Sequence, residues 1–248
     1  MTAKIKTKAL EISEPLNELI ERGKFISPNS PEITALIDQI KLLAHADYDE
    51  ALKLEALVLH LTGNLAGALK ALGEMEVYDE ITHFIILTNF SRCREAQLLF
   101  ARYGAPKDSQ FSFYARFAFA IGAFNSAAKF VPLARSMRLT NLDSLPLEKI
   151  MAASALLNEF GVTDSKAAEI MEVAGDVLRS RGLMFQGAGP RVDVIDVPGE
   201  LRTVHLTYEV AAAPSAAASM VFDFIDLIEE RRVSLPGAMH VSFAGTCV

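Results

Sequence analysis

Along most of this chain apolar residues recur at intervals of three and four, the spacing that gathers them on one side of an α-helix. Ile33, Leu36, Ile37, Ile40 and Leu43 make one such stripe. Breakers and capping residues divide the chain up to Gly182 into similar segments, predicting helices near 31–43, 47–62, 64–73, 77–88, 91–103, 109–122, 124–137, 146–160 and 164–181. An earlier helix is expected to start at Ser13-Glu14-Pro15, with Leu16, Leu19 and Ile20 on its apolar side and Gly23 as its stop. The residues before it, with Lys4, Lys6 and Lys8, read as a frayed terminus. Short joints oblige neighbouring helices to run antiparallel.

After Gly182 the period drops to two. Val192–Val197 and Thr203–Val210 read as strands with a Pro198-Gly199 turn between them, and Val204, Leu206, Tyr208 and Val210 alternate with Thr203, His205, Thr207 and Glu209. One face of this sheet is expected to be buried and the other polar. A helix opening at Pro214 carries Met220, Val221, Phe224, Ile225 and Ile228, and Met239–Ala244 forms a last strand. The fold class is therefore mainly α: antiparallel helical hairpins over 1–182, then a small β-β-α-β unit over 183–248. A unit that small buries too little surface for comfortable independent stability. It is expected to lean on the helices or to dimerise with a second copy.

The hairpins repeat. Gly63, Leu65 and Ala68 stand in the same order as Gly122, Phe124 and Ala127, and Ser91 with Ala96 is a third, partial copy at a period close to thirty. Glycine ends one helix in a left-handed conformation, and alanine lets the next return closely. Over about 45–137 this pattern resembles tetratricopeptide repeats, whose usual period is about 34 residues. The resemblance implies a helical array with a curved surface for a peptide. Ala56 and Ala115 replace the glycine expected one turn earlier, and no proline closes either copy.

A net charge of −7 and a pI near 5.3 argue against nonspecific nucleic-acid binding, which needs clustered cations. Two cysteines, Cys93 and Cys247, make neither a disulfide framework nor a zinc cluster. Cys93 between Arg92 and Arg94 reads as a buried thiol, because immediate helix neighbours point away from it. The amino-terminal stretch lacks the apolar core of a secretion signal, and no stretch has the roughly 20 apolar residues of a membrane span. A cytoplasmic protein without membrane association is expected.

No motif whose spacing is fixed by chemistry is present. Gly187-Ala188-Gly189-Pro190 leads into a strand rather than a helix, so it is no phosphate loop. His205, Glu209 and His240 could share the polar sheet face and are the candidate metal ligands, although such a face carries residues of this kind without any metal. Phe113, Arg116, Phe117 and Phe124, in an aromatic-rich stretch, are the candidate partner-binding residues. The leading expectation is a non-enzymatic adaptor, scaffold or chaperone-like regulator that binds a peptide or helix of another protein and needs no cofactor. The alternative is an enzyme or metal-dependent regulator acting through the polar face.

Overall fold

The computed structural model describes all residues except 1, 104–109, 139–141, 143–144, 185–188, 198 and 247–248. Cys247, Pro198 and Gly187-Ala188 lie outside the described residues, as do the side chains of Lys4, Lys6 and Phe111. Among the described residues the chain forms eleven helices and three strands, a mainly α fold with a small β unit. They belong to two compact units, residues 1–86 with Gly182–Met184, and Leu87–Arg181 with Phe185–Val248.

In the first unit, α1 (Thr2–Glu21), α2 (Pro31–Ala44), α3 (Tyr48–Leu61) and α4 (Leu65–Gly73) pack in succession. Ser30, Asp47 and Asn64 cap α2, α3 and α4 by accepting the N–H of Ile33, Glu50 and Gly67. Each such cap contributes about 1 kcal/mol. The core joins Ile12, Leu16 and Leu19 of α1 to Ile33, Leu36, Ile40, Leu54 and Leu61. The expected frayed terminus is instead helix, and Pro15 stands inside α1 rather than at its start. Proline in a helix interior costs roughly 3 kcal/mol. Complete burial of Ile12 and Leu16 on either side of it returns about 2 kcal/mol each, which tips the balance. Gly182–Met184 rejoins this unit as a short bridge: Met184 donates its N–H to Gly23, and Phe25 donates to Gly182. From here α5 (Glu80–Asn89), started by Asp79 accepting the Thr82 N–H, carries the chain into the second unit.

The second unit contains α6 (Cys93–Tyr103), α7 (Gln110–Phe117), α8 (Phe124–Ser136), α9 (Leu147–Glu159) and α10 (Asp164–Ser180). Its sheet is β1 (Arg191–Asp196), β2 (Arg202–Val210) and β3 (Met239–Gly245), and α11 (Pro214–Glu230) connects β2 to β3. The strand order is β1-β2-β3, with β1–β2 antiparallel and β2–β3 parallel. Tyr208 stacks on Phe243 at 5.6 Å, and Phe224 of α11 meets Phe243 edge-on. The compact units do not divide at Gly182, where the period changes, because α9 packs on β1 and β2 and α10 packs on α11. For the same reason the polar sheet face is partly covered, and Thr203 and Thr207 on it are buried.

Helix α10 organises this unit. It contacts α6 and α8, so the packing is not limited to successive helices as in a simple solenoid. It also supplies caps those helices lack. Ala123 precedes α8 with no side-chain cap, and Asp164 reaches over to accept the Asn125 and Ser126 N–H groups at 2.7 and 2.8 Å. Glu172, two turns on, accepts the Arg94 N–H of α6 at 3.0 Å.

Candidate functional site

In the first unit the facing sides of α2 and α3 leave a groove. Ile37, Ile40, Lys41 and Ala44 line it from α2, and Tyr48, Ala51, Leu52, Glu55 and Leu59 from α3. Each set follows helical three-four spacing, so each is one continuous face. The hollow exists because Ala44 and Ala51 are small where longer side chains would close it. Ile40, Ala51 and Leu52 are buried in its floor, Ile37, Ala44 and Leu59 are half-buried, and Tyr48 is 56% exposed at its mouth. Lys41 and Glu55, both exposed, put opposite charges on its lining. The volume is about 170 Å³. An apolar cavity of about 150 Å³ accepts a benzene ring, whereas sites for drug-sized ligands start near 300 Å³. The groove therefore suits one large apolar side chain of a longer partner.

The aromatic candidates separate. Phe113 and Phe117 are half-buried and lie 5.1 Å apart, with Arg116 exposed between them in sequence. Phe124 is completely buried, 5.7 Å from Phe119, and belongs to the core. It begins α8 under the cap from Asp164, so it cannot face a partner. Tyr114 is likewise buried, against Phe100 and Phe113.

On the sheet, His205 and His240 are register partners, and Asp193 stands opposite His205 on β1. Glu209 is four residues further along β2, about 13 Å away at the usual strand rise. It lies 3.9 Å from Arg191, and His205 Nε2 is hydrogen-bonded to Ser242 Oγ at 2.9 Å. Ser242 in turn donates to Thr207. Among the described residues no group of three His, Cys, Asp or Glu side chains is placed to hold a metal ion. Cys93 is buried with its Sγ 3.6 Å from the Ala120 carbonyl, and burial pushes its thiol pKa up, away from the reactive thiolate.

A polar cleft of about 570 Å³ opens between α8, α9 and the start of α10. Its groups serve one another: Ser154 donates to Asn125 Oδ1, Asn158 donates to Ser154, and Asn125 donates to the Val162 carbonyl. At the far end of α9, Arg202 bonds both Asp196 and Glu159 and lies over the Phe160 ring. The hydrogen bonds from Arg202 hold both carboxyls below the usual range.

Sequence reading found the α2 stripe and missed the groove. Its signal was a pair of alanines, Ala44 and Ala51, on facing sides of consecutive apolar helices. No family model matches the chain, and neither curated proteins nor solved structures give a match.

Proposed function

We propose that this is a non-enzymatic interaction protein that receives an amphipathic helix or peptide of another protein in the α2–α3 groove. The observation that carries the reading is an apolar, side-chain-sized hollow whose lining includes one exposed cation and one exposed anion. An amphipathic segment would insert one bulky apolar residue and set charges against Lys41 and Glu55. The tetratricopeptide-like reading of 45–137 is supported by left-handed residues at Gly63, Ser91 and Gly122. The free, buried Cys93 suits a reducing compartment, and we place the protein in the cytoplasm.

The sheet adds a second contact. Edge strand β1 carries Arg191, Asp193 and Asp196, charges that discourage strand addition, whereas edge strand β3 (MHVSFAG) has no Asp, Glu, Lys or Arg. Pairing of two β3 edges would give a homodimer.

Selection of peptides from a displayed library by the full chain, with Ala44→Arg and Tyr48→Ala variants beside it, tests the groove. Peptides with apolar residues at three-four spacing, retained by the wild type and lost at least tenfold by Ala44→Arg, are expected. Selected peptides that bind all three proteins equally would refute the assignment.

A further inference from the structure

Left-handed residues stand in the turns before α4, α8 and α10, and all three are glycine: Gly63 at φ 79°, Gly122 at 67° and Gly161 at 70°. The turn before α6 has Ser91 at φ 49°. That conformation penalises any residue with a Cβ. Helix α10 makes room for it, since a Cβ on Gly175 would stand 2.1 Å from Ser91 Cβ and 2.4 Å from its Oγ. A strained serine thus occupies a glycine position, with a second glycine opposite to admit it. Ser91 is 2% exposed, its hydroxyl has no hydrogen-bond partner among the described residues, and it lines a cavity of about 450 Å³.

The cavity is charged. Arg92, Arg94, Arg179 and Arg231 border it with Glu95, Glu172 and Asp176, four cations to three anions. Asp176 is shared by Arg179 and Arg231, Glu172 accepts from Arg94 Nε at 2.8 Å, and Glu95 accepts from Arg92 Nε at 2.7 Å. Arg231 engages Asp176 through Nη1, so its Nε and Nη2 remain as donors among the described residues, as does Nη1 of both Arg92 and Arg94. The Arg92–Glu95 pair is about half exposed, at 50% and 44%, and pairs of that kind are worth little. With or without that pair the cavity keeps a surplus of one cation.

We propose that this cavity binds the phosphate group of a phosphate monoester. Phosphate brings negative charge to that surplus, guanidinium forks match its oxygens two at a time, and the Ser91 hydroxyl is a further donor on the lining. The positive end of the α6 dipole lies at the same place. Strain at Ser91 then has a purpose, because glycine would fit the turn and lose the donor.

Calorimetric titration of the full chain with inorganic phosphate, at ionic strength held constant by chloride, tests the site. One saturable site is expected, weakened at least tenfold in Arg231→Gln and several-fold in Ser91→Gly. The second variant relieves the left-handed strain, so its thermal midpoint without phosphate should not fall, which separates lost binding from lost folding. Separate titrations with phosphoserine and with a nucleoside 5′-monophosphate identify the carrier by the tighter binding. Absence of saturable heat with phosphate, or wild-type affinity in both variants, overturns the proposal.

Discussion

Acidification should destabilise the first unit through His60. This side chain sits on α3 with 1% of its surface exposed, and burial lowers its pKa from 6.5 to about 4. In the folded chain the imidazole stays neutral down to about pH 4, whereas in the unfolded chain it takes up a proton near pH 6.5. Between those values the unfolded state binds more protons, so the stabilising contribution is complete above pH 6.5 and is lost as pH falls. Each pH unit of the gap corresponds to about 1.4 kcal/mol, and the whole gap to about 3 kcal/mol. That is a large part of the roughly 5–15 kcal/mol by which domains are stable. Urea unfolding followed by helical circular dichroism at pH 7, 6, 5 and 4 would read it, with His60→Phe measured in parallel. Carboxylates titrate alike in both proteins, so the difference between their pH slopes belongs to His60. Equal losses in the two proteins between pH 7 and 4, within about 0.5 kcal/mol, would refute the assignment.

Three further outcomes are expected. Asp164→Ala leaves the Asn125 and Ser126 N–H groups without their acceptor and should cost about 1–3 kcal/mol, with faster amide exchange at those two residues. Gly122→Ala should destabilise more than Gly161→Ala in thermal unfolding. Both positions have positive φ, but a Cβ at Gly122 meets Ala168 N at 3.0 Å while nothing lies within 4 Å at Gly161. If the β3 edge makes a homodimer, Val241→Pro should convert it to monomer in sedimentation equilibrium, since the Ala238 carbonyl accepts from Val204 and the parallel ladder then turns the Val241 N–H outward.

Local order was legible in the sequence because local residues create it. The stripe through Ile33 and Ile40, the cap Asp47, and the left-handed turns at Gly63 and Gly122 lie within a few residues of the structure they dictate. Pro15 misled because proline suits a first helical turn, and only the burial of Ile12 one turn earlier reveals that the helix began before it. Alternation put His205 and Glu209 on one face but carried no distance along it. Pairing across strands brought Ser242 to His205 and Asp193 opposite it, partners that strand periodicity does not specify. The groove escaped because a hollow is made by what two helices lack. Ser91 could be read as an imperfect copy of a glycine turn, but only Arg92 and Arg94 of the arginines around it are near in sequence, while Arg179 of α10 and Arg231 just after α11 are far off.

The caps that α10 gives to earlier helices set an order of events on the ribosome. Asn125 must wait 39 residues for Asp164, and Arg94 must wait 78 for Glu172. At typical synthesis rates of about 5–20 residues per second these are delays of roughly 2–8 and 4–16 s, against microseconds for a helix to form. The nascent α6 and α8 therefore spend seconds with open amino-terminal amides, and a truncated product ending before residue 164 would keep them open permanently. Emergence of a single later helix supplies the acceptors for both.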